Sequence, residues 1–322
     1  MSQAAGIYHK RLHKLAYYTR HSLLGVLPHT WLVRNGQDVL REFSRLNREQ
    51  QQALHSRVDY YNRLSGTHTL HGASTAVGSF KKCGHSAYFY DLAALLRYFP
   101  ADERFLYEFG DVTHIPEQPA FVKSRPIADN NQNSVLLKLD SVRHFYIYPD
   151  PHRFADKQDS LVWRGAAHQC QRLRFLEQYH NHPLCDVGCV HPKSAGQPYH
   201  RSFLTVEEQL RHKYILSIEG NDVATNLKWI MASQSLCFMA APRYETWLME
   251  GRLQADVHYV HLQDDYADLD EKLAFYHARP AAAERIIRQA NAYMQPFFDR
   301  KLELLTGLMV VQKYFDCTSP IN

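Results

Sequence analysis

At 322 residues the chain is longer than one hydrophobic core usually serves, since cores stop growing near about 250 to 300 residues, so two domains are the default expectation. With 45% apolar and 22% charged residues, the composition is that of a packed globular protein and excludes collagen, coiled coil or wholesale disorder. Thirty-seven Lys and Arg against 33 Asp and Glu leave +4. The pI near 8.6 falls short of the value above about 9 that marks nucleic-acid binding, and the excess suits an anionic small molecule or a membrane face equally.

The apolar runs, such as 23–28 and 236–242, fall well short of the ~18 residues that a bilayer-crossing helix needs. The N-terminal stretch carries Lys10, Arg11 and Lys14 among aromatic residues, with no apolar core or small-residue cleavage site, so a cleaved secretion signal is not expected. Six cysteines (Cys83, Cys170, Cys185, Cys189, Cys237 and Cys317) include no C-x-x-C pair, which fits a reducing cytoplasm. Twenty histidines follow no ligand spacing of known geometry, so no metal site is expected.

In chain order, Leu12, Leu15, Leu23, Leu24 and Leu27 make a basic amphipathic helix, suited either to an anionic membrane surface or to packing on its own domain. Asn47 with Gln50 reads as a capping box opening a helix through Leu54, Val58, Tyr61 and Leu64, broken at Ser65-Gly66. A second helix over 90–99 stops at Pro100. Strands are then expected over 105–109, running into Gly110-Asp111, over 134–139, and over 144–148 before Pro149.

From there strands alternate with helices. The strand 160–163 ends in Arg164-Gly165 and a helix through Leu173 and Leu176 follows. The strand 214–218 leads to Glu219-Gly220-Asn221-Asp222 and a helix through Leu227, Trp229 and Ile230. Further strands are expected over 235–239 and 258–262, and helices over 269–278, from Pro280 to about 298, and over 302–315. This alternation is the grammar of a Rossmann-like α/β domain.

In such sheets a glycine turn beyond a strand lets backbone amides face an anion. Arg164-Gly165 and Glu219 to Asp222 are two such turns, with Arg172 and Lys228 on the helices behind them. Neither matches a P-loop or a G-x-G-x-x-G fingerprint, yet together they favour a phosphorylated, nucleotide-like ligand. Asp111, following a strand in the other domain, has the chemistry of a general base, and Lys123 and Arg125 form a cationic cluster beside it. Asp268-Leu269-Asp270 is a D-x-D, read here as helix capping.

The ordered strings Val162-Trp163-Arg164-Gly165, Lys213-Tyr214-Ile215-Leu216, Glu219-Gly220-Asn221-Asp222, Ser235-Leu236-Cys237-Phe238, Glu245-Thr246-Trp247 and His258-Tyr259-Val260 resemble glycosyltransferase family 90, over residues 105–298. The resemblance implies a GT-B-like α/β fold, two Rossmann-like domains facing across a cleft. These are an acceptor-side domain over 1–150, a nucleotide-sugar domain over 151–300, and a C-terminal helix over 301–322 packing back on the first. It further implies a UDP-sugar donor, no cofactor or metal, and inversion at the anomeric carbon.

The segment from Gly110 to Pro116 is similar to the family's base-bearing stretch, which puts that role on Asp111. Arg164, Gly165 and Arg172 match the donor-phosphate segment, Gly220, Asn221, Asp222, Asn226 and Lys228 a second donor segment, and Glu245 the loop beneath the nucleotide. Lys123 and Arg125 fall on the acceptor or phosphate side. Asn226 stands where eukaryotic members have arginine, which shifts neutralisation of the diphosphate toward Arg164, Arg125 and Lys228. The bacterial branch, building lipopolysaccharide or other surface glycans, is the closer likeness. It implies a cytoplasmic enzyme, peripheral on the inner face of the cytoplasmic membrane, with a glycan or lipid-linked acceptor and no nucleic-acid partner. The rival readings are a non-catalytic glycan- or nucleotide-binding scaffold and a sugar phosphotransferase.

Overall fold

The computed structural model describes residues 3–24, 27–72 and 74–320. The chain divides into two compact units: 1–12, 144–243 and 252–295 form one, and 13–143, 244–251 and 296–322 the other.

The first unit is built on five parallel strands, in the order Val260–His261, Leu236–Met239, His212–Leu216, Gln158–Gly165, Cys185–Cys189. Leu161, Val162, Trp163, Ile215, Leu216, Leu236 and Phe238 are all buried. Such unbroken apolar runs, rather than alternation, are what a parallel sheet covered on both faces requires. The helices Cys170–Tyr179, Leu269–Ala278 and Pro280–Met294 supply Phe175, Leu273, Tyr276, Ile286 and Ile287 to the same core.

The strand Cys185–Cys189 is absent from the sequence-based expectation because Asp186 and Gly188 are poor strand formers. Gly188 is there for space, since a Cβ would lie 2.2 Å from Cγ of Arg201. Residues 144–148, expected as a strand, are instead the end of a short helix, Ser141–His144, and irregular chain. Their aromatic alternation reflects packing of Tyr146 against Tyr148, with ring centroids 4.4 Å apart, and not a hydrogen-bonded ladder.

The second unit holds a small parallel sheet of Tyr107–Glu108, Ala120–Val122 and Ser134–Leu136. The helix Arg48–Tyr61 opens on the expected capping box between Asn47 and Gln50. The second helix runs over Ser86–Leu96, starting earlier than its apolar stretch alone indicates. The helix Arg300–Cys317 is fixed here by polar ties within a buried face: Nδ2 of Asn62 donates to the Val310 carbonyl, and the Tyr314 hydroxyl donates to that of Pro119. Tyr61 stacks on Trp247 at 3.9 Å between centroids. Among the described residues no helix is long and apolar enough to cross a membrane.

Candidate active site

In the five-stranded unit the chain runs from Gln158–Gly165 out to Cys185–Cys189 on one side, then returns to His212–Leu216 on the other. Connections therefore diverge between these two central strands, and such a switch point is where ligands lie beyond the carboxyl ends of an open parallel sheet. Val162 pairs with Ile215, so the turns that leave Gly165 and Ile218 start at the same level. The two glycine turns, separated by more than 50 residues of sequence, thus become neighbours.

Arg172 ties them together. Its guanidinium donates to the carbonyls of Ala166, at 2.9 Å, Ile218, at 2.9 Å, and Glu219, at 3.1 Å, and burial pulls its pKa down. Beside it, Nε2 of Gln171 donates to the Glu219 and Gly220 carbonyls and Nε2 of Gln169 to Oδ1 of Asn221. Within the turn the amide of Gly220 donates to the backbone oxygen of Asp222, whose residue is buried. Arg164 is similarly engaged: it forms a 2.6 Å ion pair with Asp186 and donates to the carbonyls of Asp186 and Ser202.

Asn226 donates to the Leu216 carbonyl and accepts from the hydroxyl of Ser217, so its amide holds the strand end. Lys228 is wholly buried, 5.9 Å from the centre of the Phe145 ring. The helix behind this turn, Leu227–Met231, has only five residues, so its dipole adds little field. The cation that sequence reasoning missed is Arg243. It follows the strand Leu236–Met239, its amide donates to Oε1 of Glu219, and 62% of its side chain is exposed. A basic residue directly after Pro242, at a strand end, was the available signal.

In the second unit, Gly110 has φ of +110°, a conformation closed to ordinary side chains, and this turn delivers Asp111. Nζ of Lys123 lies 2.6 Å from Oδ1 of Asp111; the lysine is 2% exposed and the aspartate 30%. The same ammonium sits 5.9 Å from the Tyr88 ring centre. Asp140, raised by burial despite the nearby Arg143 and Lys123, adds a second acid to this cluster.

Arg125 and Glu245 come together in the same unit as a fully buried pair at 2.7 Å. Arg125 further donates to the carbonyls of Tyr60, Tyr61 and Ser134, and the Tyr60 hydroxyl donates to Glu245. Burial lowers the pKa of Arg125 and raises that of Tyr60. The D-x-D carboxylates are also engaged: Oδ1 of Asp268 accepts from the amide of Gln263, and Asp270 lies 3.0 Å from His182. Asp268 does occupy the N-cap position of Leu269–Ala278, but its side chain makes no capping bond to that helix.

A parallel α/β sheet with paired turns at its switch point is the class of fold in which ligands lie beyond the strand ends. The comparison with known proteins makes this particular. The pattern of the family described as Glycosyl transferase family 90 matches residues 149–304. The chain is 57% identical to the protein named "O-glucosyltransferase LpsA" of Dichelobacter nodosus over 312 residues, 97% of this chain and 98% of that one. It is also 28% identical over 120 residues to "Uncharacterized protein 179R" of Invertebrate iridescent virus 6, covering 34% of this chain and 10% of that protein. The chain belongs to glycosyltransferase family 90, and the class of its chemistry is glycosyl transfer.

Proposed function

We propose that the chain is an inverting, metal-independent transferase with a GT-B division of labour. It moves a hexose or pentose, glucose first by the relative's name, from a UDP-sugar to a glycan hydroxyl. The setting is the assembly of lipopolysaccharide or another surface glycan. The observation that carries the donor half of this reading is the meeting of the two turns at the switch point, tied by Arg172.

In this mechanism the acceptor oxygen attacks the anomeric carbon while its proton passes to Asp111. The bond from that carbon to the diphosphate breaks, and UDP leaves with the electron pair. Lys123 beside Asp111 holds one carboxylate oxygen in place for the base to act. On the donor side Arg243 and the turn amides stabilise the charge that develops on UDP. Arg172 and Asn226 keep the turns in shape, and Arg164 ties its strand to the neighbouring one, so the grip depends on them through the backbone they hold.

Calorimetric titration tests the donor half. UDP is expected to bind the wild-type protein, and Arg243→Ala to weaken that binding about tenfold or more, as loss of a charge-assisted contact does. Binding of magnesium-ATP without UDP binding would replace the reading with a phosphotransferase, and an Arg243→Ala affinity equal to wild type would remove that residue from the site.

A further inference from the structure

The N-terminal helix, Gln3–Leu24, packs the wrong way round for an ordinary surface helix. Over residues 11–23 its half-buried positions are His13, Tyr17, Tyr18 and His21, all polar aromatics, while Leu12, Leu15, Ala16, Thr19 and Leu23 are exposed. The inward face is held by specific bonds: the Tyr17 hydroxyl donates to Oδ1 of Asp91, at 2.7 Å, and to the Ala87 carbonyl, at 3.0 Å. Rolling the helix to bury its leucines would break both bonds and take from the buried Asp91 the Tyr17 donor that Ser141 alone does not replace.

At about 100° per residue, Leu12, Leu15, Ala16, Thr19 and Leu23 fall in one stripe about 100° wide, flanked by Arg11 and Ser22 on one edge and Arg20 on the other. Leu15 and Leu23 are each 64% exposed. The sequence places four basic residues, Lys10, Arg11, Lys14 and Arg20, on this helix and no acidic one. Leu27 and Trp31, which follow in sequence, are exposed as well, Trp31 by 52%.

We infer that this outward stripe is a docking surface for an anionic lipid bilayer. Leucines enter the acyl boundary, the flanking arginines meet lipid phosphates, and tryptophan belongs at the same depth. A second copy of the chain is the poorer occupant, because pairing two such faces sets like charges against each other. The inference stands apart from the donor and base assignments above, and its test does not use activity.

The experiment is sedimentation of the full chain with vesicles of phosphatidylcholine alone and of phosphatidylcholine mixed with phosphatidylglycerol. The protein is expected to pellet with the mixed vesicles and stay in solution with the neutral ones, with Trp31 among the residues whose emission shifts to the blue. The double variant Leu15→Ser/Leu23→Ser changes only exposed side chains and should lose the binding. Arg11→Gln/Arg20→Gln should weaken it roughly thirtyfold. Wild-type protein that ignores anionic vesicles overturns the inference. So does equal binding to both lipids, or a dimer in solution that the leucine variant turns into monomer without any vesicle binding.

Discussion

Asp111 owes its position to two residues of opposite character. Gly110 supplies a backbone angle that side-chain-bearing residues avoid, and the nearly buried Lys123 anchors one carboxylate oxygen from behind. Asp111→Asn keeps an oxygen for the ammonium but cannot take a proton at neutral pH. Because the aspartate is 30% exposed, solvent screens part of the lost pairing energy, and the variant is expected to fold. Transfer should fall by about 10² to 10⁴, the range a positioned general base contributes. UDP affinity should stay where it was. Measuring sugar transfer and UDP titration on the same preparation checks both, and near-wild-type turnover would take the base role away from Asp111.

Among elements, the helix Ser86–Leu96 carries a titrating group, Asp91, against the N-terminal helix. Burial raises the carboxyl of Asp91 from 3.8 to about 7, although the amide and hydroxyl of Ser141 and the hydroxyl of Tyr17 all donate to it. His21 lies 3.8 Å away, but burial, then Arg20 and Arg97, hold its pKa near 4, so that contact is not an ion pair at neutral pH. Tyr18, Tyr90 and Asp140 complete the surroundings. The folded state binds the Asp91 proton more tightly than the unfolded chain does. Its contribution to stability is therefore complete below about pH 4 and is lost as pH rises toward about 7. Tryptic cutting after Arg20, measured relative to Asp91→Asn, should be faster at about pH 8 than at about pH 6. An unchanged ratio would show that Asp91 does not set how firmly the helix is held.

Elements also show what sequence could and could not tell. The strand at 160–163, the two turns and the helix opened by Asn47 were legible because buried parallel strands and capped helices write local patterns. The roles of the arginines were not. Arg164, Arg172 and Arg125 look alike as cations in a row of letters, yet the structure commits each to carbonyls or carboxylates supplied by distant residues. Arg243, the exposed cation beside Glu219, was overlooked because its partner lies 24 residues back. In the same way, the leucines of the first helix suit either a membrane face or packing on their own domain, and the choice turns on Asp91, 74 residues from Tyr17, which fixes the opposite side of the helix.

For the whole molecule, the proposed transfer turns on what would neutralise the departing diphosphate. Either a divalent cation or fixed protein groups can meet that charge, and the two make different demands on the chain. A cation bridging a diphosphate takes one or two carboxylates besides the phosphate oxygens, and the D-x-D at 268–270 already has its own on the Gln263 amide and on His182. Fixed groups need rigidity instead, since a donor that must reorganise during the reaction loses most of its effect. The bonds from Arg172, Gln171 and Asn226 to the strand-end backbone are the kind that hold turns rigid. Transfer by the full chain is therefore expected to persist in excess EDTA, within about twofold of the untreated rate, and to gain nothing from added magnesium or manganese. A rate abolished by EDTA and restored by either ion would show that the diphosphate leaves on a metal and not on these turns.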